Sequence, residues 1–354
     1  MRVAEWGLPP GNEHVSLRFS SLLLSCLALA CDVEGAHETP DTFDEGTILG
    51  EVAAELIFLE EHGPPDFRVA AVNADTLEVR TLFSLPTGSF AYGLDVHRET
   101  GAVLLSYTEP AAEGEPGFDR SSVFIVGDEG LGERIAGEDV SGSWAQYPRW
   151  SADGSHVWYV STAAEVTERG VAHALVRAEV DSGRIDTAID WATEPAVSPD
   201  GQHLAWVSLE VGTWARSLEL GTADGEFMRT LVGADAVYDL GHPTFSGDGL
   251  EVYVFIPEDT AVPRAASWTH DPSPVGHGLH LVPGDWWAIE LATHERRRLT
   301  EFSAIQHAAA PSADGRWLST ASATGIELVD LDTGAAQELL FNRAIRSLAW
   351  RDAD

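Results

Sequence analysis

The sequence contains no lysine. All 21 of its basic residues are arginines, they face 57 Asp and Glu, and the formal net charge is −36. So acidic a surface repels phosphate backbones and anionic lipid headgroups, which argues against nucleic acid as a partner. Cysteine is scarce as well. Cys26 and Cys31 both lie near the front, so the residues beyond them have no disulfide to rely on. No apolar run is long enough to span a bilayer. Also missing are the Gly-x-Ser-x-Gly elbow, the His-Glu-x-x-His helix, the Walker loop and the dinucleotide fingerprint, and with them the usual motif evidence for an enzyme.

What is present is repetition. "YPRWSADGSHVWYVS" at 147–161 returns as "EPAVSPDGQHLAWVS" at 194–208, as "HPTFSGDGLEVYVF" at 242–255 and, more loosely, as "HAAAPSADGRWLSTAS" at 307–322. The Asp-Gly glycines, Gly154, Gly201, Gly249 and Gly315, are spaced by 47, 48 and 66 residues, a propeller-blade period stretched once by an insertion at about 258–284. Each copy reads as a short strand, a turn in which Gly takes positive φ, and an alternating apolar strand. Further turn signals, as in "EVDSGRI" and "DLDTGAA", supply two more strands, so one unit predicts a four-stranded antiparallel sheet.

A weaker copy begins at "YGLDVHRETGAVLLSY", 92–107. At the front, "AELIFLE" and "FRVAAVNADTLEVRTL" give three strands with no first strand before them. "RSLAWRDAD" at 346–354 is a first strand with nothing after it. Joining the two completes a sixth unit, and a ring closed by both termini leaves no sheet edge unprotected. The expected fold is all-β, a six-bladed β-propeller of four-stranded antiparallel blades over residues 51–354.

"WSADG", "VSPDG" and "FSGDG", each followed by an apolar strand, resemble the TolB-type, WD40-like family of six-bladed propellers over roughly residues 50–354. The resemblance implies the fold and is weak for function, because such blades occur in binding proteins and as accessory domains of peptidases.

Ahead of the repeats, "SLRFSSLLLSCLALAC" at 16–31 sets Arg18 before a short apolar segment that ends in small residues and a cysteine. This predicts a signal peptide over residues 1–30, with Val15 as an alternative point at which translation starts. "LALAC" resembles the bacterial lipobox and assigns lipidation to Cys31, with Cys26 as the competitor. Residues 31–50 then form the lipidated end and an acidic, Pro/Gly-punctuated tether. The expected location is exported, lipid-anchored in the bacterial cell envelope.

Two groups of residues are candidates for recognition. In these propellers the first strand of each blade lies innermost, so residues just before it ring one mouth of the central channel: Tyr147, Glu194 and His242, with His307 displaced by one position. The insertion, "WTHDPSPVGHGLHLVPGDWW", offers Trp268, His277, His280 and Trp286, with at least one of Trp286 and Trp287 expected in the core. Its histidine spacing matches no metal signature, so neither a metal nor a cofactor is expected. The function expected is a monomeric, non-catalytic binding module for an envelope protein or peptide, touching the membrane through its lipid alone. The alternative is a metal-dependent hydrolase of lactonase type.

Overall fold

The Ser-x-Asp-Gly turn recurs because its side chains complete the hairpin's hydrogen bonds. In the computed structural model, Ser151, Ser198, Ser246 and Ser312 each donate Oγ–H to the Asp two residues on. Each Oγ also accepts the N–H of the residue five positions on, at 2.9 Å in all four turns. The Asp carboxylate accepts the N–H two residues beyond it, at 3.0 Å in all four. Gly154, Gly201, Gly249 and Gly315 take φ of 71°, 67°, 74° and 72°, where a side chain would be strained.

The structure describes residues 54–352 apart from 63–65, 75, 109–119, 128–129, 138–142, 168–169, 212, 214, 238, 258–282 and 303. Leu49–Asp354 forms one compact unit. Cys31, the signal segment and the tether lie outside the described residues, as do Trp268, His277 and His280.

Six four-stranded antiparallel sheets make up the fold. Blade 1 runs Ala344–Asp352, Ala54–Glu61, Phe67–Asn73 and Val79–Ser84 from the inside outward. Blade 2 follows with Ala91–Val96, Val103–Tyr107, Ser122–Gly127 and Gly130–Ala136, and blade 3 with Trp144–Trp150, His156–Thr167, Gly170–Glu179 and Ile185–Asp190. Blade 4 comprises Ala192–Val197, His203–Leu209, Arg216–Thr222 and Phe227–Val232. Blade 5 comprises Gly241–Phe245, Glu251–Pro257, Gly284–Glu290 and Arg296–Arg298, and blade 6 Gln306–Pro311, Trp317–Ser322, Gly325–Asp330 and Ala336–Phe341. Every first strand lies against the first strands of both neighbouring blades, so the six close a ring around an axis. The sixth unit is joined as the sequence implies, with Ala54 opposite Asp352 and Glu61 opposite Ala344.

Between blades the sheets pack face to face, which is why middle strands read as continuous apolar runs rather than alternating ones. Ile57, Leu59 and Val69 of blade 1 meet Leu94, Leu105 and Phe124 of blade 2. Phe255 and Trp286 of blade 5 pack on Leu318 and Val329 of blade 6, and Trp350 Nε1 donates to Ala310 O at 3.1 Å across the last seam. Trp286 is fully buried, 0% exposed, with its ring centroid 5.8 Å from that of Phe255. Its large apolar area fills the space between two blades and offers nothing to a partner, which corrects its candidacy for recognition.

Candidate functional site

All six first strands carry an extra residue at the same level. Across each inner hairpin the register skips Arg346 in blade 1, Tyr92 in blade 2 and His307 in blade 6. It steps over Tyr147–Pro148, Glu194–Pro195 and His242–Pro243 in blades 3, 4 and 5. These are β-bulges, which disrupt the ladder locally and re-aim a side chain. Proline places them in three blades, since it has no N–H to give the ladder and bars its predecessor from the right-handed helical region. Tyr147, Glu194 and His242 sit at φ of 50°, 49° and 55°, outside the extended region a following proline favours, so the bulge itself holds them there. A non-glycine residue held there costs on the order of 1–3 kcal/mol, and such strain persists where packing over-determines it.

The three residues therefore lie within their first strands rather than just before them. The strands start earlier, at Trp144, Ala192 and Gly241, because a proline that reads as a strand's first residue is here the second residue of a bulge. The ring also has two members that the sequence reading did not single out, Tyr92 and Arg346. Each opens one of the two weaker copies of the repeat, at the place where Tyr147 opens the strong one.

On the axis these residues enclose a small cavity of about 30 Å³, lined by the first strands of blades 1, 2, 3, 5 and 6. Tyr92, Tyr147, Arg149, His242, Arg346 and Ser347 supply its polar walls. Tyr92 belongs to an aromatic row, 5.1 Å from Phe90 and 5.8 Å from Trp144 between ring centroids. Burial pushes the phenols of Tyr92 and Tyr147 far above the usual tyrosine range, with the charge of Glu194 adding to the effect at Tyr147, so both remain neutral donors at physiological pH.

Glu194 does not line the cavity; it secures the strands around it. At 6% exposure, its carboxylate takes the Arg216 guanidinium at 2.9 Å and the backbone N–H of His242 at 2.6 Å. Arg216 also meets Asp239 at 3.3 Å and Leu240 O at 3.2 Å. The carboxylate expected to contact a partner is thus occupied in joining blade 4 to blade 5. On the opposite side, Asp95 accepts the N–H of Trp150 at 2.8 Å, and burial pushes its pKa upward against the pull of Arg149. His307 occupies the bulge of blade 6, one position out of line with the proline-preceded residues, as its sequence indicates.

A larger hollow of about 460 Å³ lies where blade 6 hands over to blade 1, walled by Glu60, His62, Arg68, Phe341 and Arg343. Among the described residues no three His, Cys, Asp or Glu side chains come together in a way that would hold a metal ion.

No family model matches the sequence, and no curated protein does. Solved structures do match. A protein assigned as TolB from Agrobacterium tumefaciens superposes with a TM-score of 0.54 at 15% identity, covering 84% of this chain and 92% of that one. A protein assigned as a 6-phosphogluconolactonase from Bacteroides fragilis gives 0.51 at 11% identity, covering 85% and 98%. An oligogalacturonate lyase in complex with manganese gives 0.50 at 11% identity, covering 78% and 71%. At such identities the likeness extends to the propeller fold, which hosts both binding proteins and enzymes.

Proposed function

We propose that this propeller is a non-catalytic binding module of the bacterial cell envelope, engaging a protein or peptide at the mouth of its axial channel. Lipid on Cys31 and the acidic segment behind it would hold the module at the membrane, where more than one acyl chain gives stable anchoring. The observation that carries this reading is the ring of bulges. One backbone device recurs in all six blades, yet the residue types at it differ: two Tyr, two His, one Glu and one Arg. A purely structural ring would be served by one residue type, whereas a recognition surface uses unlike groups. Tyr and Arg are among the residues in which interface energy concentrates.

The test is capture from envelope extract with the mature domain as bait, repeated with Tyr147→Ala. A specific partner should be retained by the wild type, with the substitution weakening binding by about 1–3 kcal/mol and leaving the fold intact. A partner held equally by both would move recognition to the blades' outer surfaces. Metal analysis of the same preparation tests the lactonase-type alternative: about one tightly held divalent ion per chain would favour the enzyme.

A further inference from the structure

The axial cavity reverses the charge of the molecule around it. In a chain with 57 acidic residues and 21 arginines, the residues lining it include two arginines and no acid. Arg346 is held by Glu61, whose carboxylate accepts its Nε–H at 2.7 Å from outside the cavity wall. Arg149 is set differently: it interacts with the charge of Asp95 without touching its carboxylate. Its Nη1 donates to two backbone carbonyls, Leu94 O at 3.2 Å and Pro148 O at 2.9 Å, and among the described residues no carboxylate stands in ion-pair contact with it. The nearby acids are engaged elsewhere, Asp95 by the Trp150 N–H and Glu194 by Arg216 and the His242 N–H. Two arginines facing a cavity with no acid in its lining suit an anionic guest.

We propose that this cavity captures one carboxylate group of the bound partner between Arg149 and Arg346. The volume sets the size of the guest. About 30 Å³ admits a single small group and excludes a sugar ring or a nucleotide. The walls set its chemistry. Guanidinium forks match the two oxygens of a carboxylate in paired hydrogen bonds, and Ser347 Oγ and the neutral phenols of Tyr92 and Tyr147 supply further polar contacts around the guest. The group can come from a partner's C-terminus or from an Asp or Glu side chain, two sources with the same chemistry.

This inference rests on the channel being the recognition surface, and its test is chosen to fail separately from that reading. The wild-type domain is titrated with N-acetyl-trialanine bearing a free C-terminus, with the same peptide as its amide, with N-acetyl-Ala-Asp-Ala amide, and with inorganic phosphate, read by saturation-transfer NMR. The free-acid peptide should bind at least about tenfold more tightly than its amide, the loss expected when a charge-assisted pair is removed. Binding of the Asp-containing amide instead would support the carboxylate site and assign it to a side chain. Arg149→Met should remove the preference and Arg149→Lys should restore part of it, with circular dichroism melting confirming that both variants fold. Equal binding of acid and amide, no binding of either carboxylate source, or phosphate binding as tightly as the peptides would overturn the proposal. A captured partner that is sensitive to Tyr147→Ala but indifferent to a folded Arg149→Met would remove the carboxylate and leave channel recognition standing.

Discussion

At the scale of single residues, one short strand joins the most regular and the least regular chemistry in the molecule. The Ser-x-Asp-Gly turn follows the end of four of the six first strands, and the bulge lies within the same strand. The turn recurs because the same hydrogen bonds close each hairpin that carries it, so it is legible from the sequence; the bulge residue varies, so the three copies marked by a following proline stand out, and His307 only by alignment with them. Tyr92 and Arg346 precede no proline, and Arg149 and Arg216 sit at positions with no repeated type, which is why they were missed. Glu194 illustrates the other limit of the sequence, since its type and position marked it as a contact residue and only the fold shows it gripping Arg216 and the His242 N–H. Removing one partner of so buried a pair leaves a stranded charge. Glu194→Ala should therefore destabilise the domain by about 3 kcal/mol in urea denaturation, and an unchanged midpoint would show the pair to be dispensable. The turn carries a pH signature. The hydroxyls of Ser151 and Ser155, with the Ser155 N–H, hold Asp153 down at about 2. A depressed carboxylate stabilises above its unfolded pKa of about 3.9 and loses that contribution as pH falls through its folded value. The stability difference between wild type and Asp153→Asn should shrink as pH falls from about 4 toward 2; a constant difference across that window would contradict the assignment.

At the scale of elements, the closure of blade 1 is the least local event in the fold. Its first strand comes from the C-terminal end of the chain and its other three from the front, and arginines clamp the join. Glu60, 2% exposed, receives Arg343 at 3.0 and 3.1 Å and Arg68 at 2.7 Å; Glu61 takes Arg346, and Glu55 takes both Arg80 and Arg351. The hydrogen bond from Arg80, helped by Arg351, holds the Glu55 carboxyl below the usual range despite the opposing effect of its burial. The orphan strand and the gap before residue 54 made this closure legible, because a lone first strand has no other sheet to join. The clamps were not legible, since nothing in a linear sequence brings Glu60 next to Arg343. The outermost strand of blade 5, Arg296–Arg298, is exposed and carries three consecutive charges, so no apolar pattern announces it. Removing residues 344–354 should expose both the edge of Ala54–Glu61 and the flanks of blades 2 and 6, producing aggregation or loss of cooperative melting. A truncated protein that stays monomeric with the melting temperature of the wild type would show that the ring does not depend on its closing strand.

At the scale of the whole molecule, the ring does two things with one geometry: it packs neighbouring blades face to face, and it brings six equivalent strand positions of four residue types around a common axis. The chain as a whole carries a formal net charge of −36, while the axial cavity presents arginines and phenols. The resemblance of the repeats to TolB-type propellers is matched by the fold, and the ring of the candidate site is partly legible in the sequence because equivalent positions in a ring must converge. Which side chains remain available there, and which are consumed in holding blades together, depends on contacts between strands far apart in sequence. The most direct measurement is hydrogen–deuterium exchange on the propeller with and without its captured partner. Recognition through the channel requires new protection in the first strands around Tyr92, Gln146–Arg149, His242 and Ala344–Ser347. Protection confined to outer strands such as Ile185–Asp190 and Phe227–Val232, with the first strands unchanged, would contradict it.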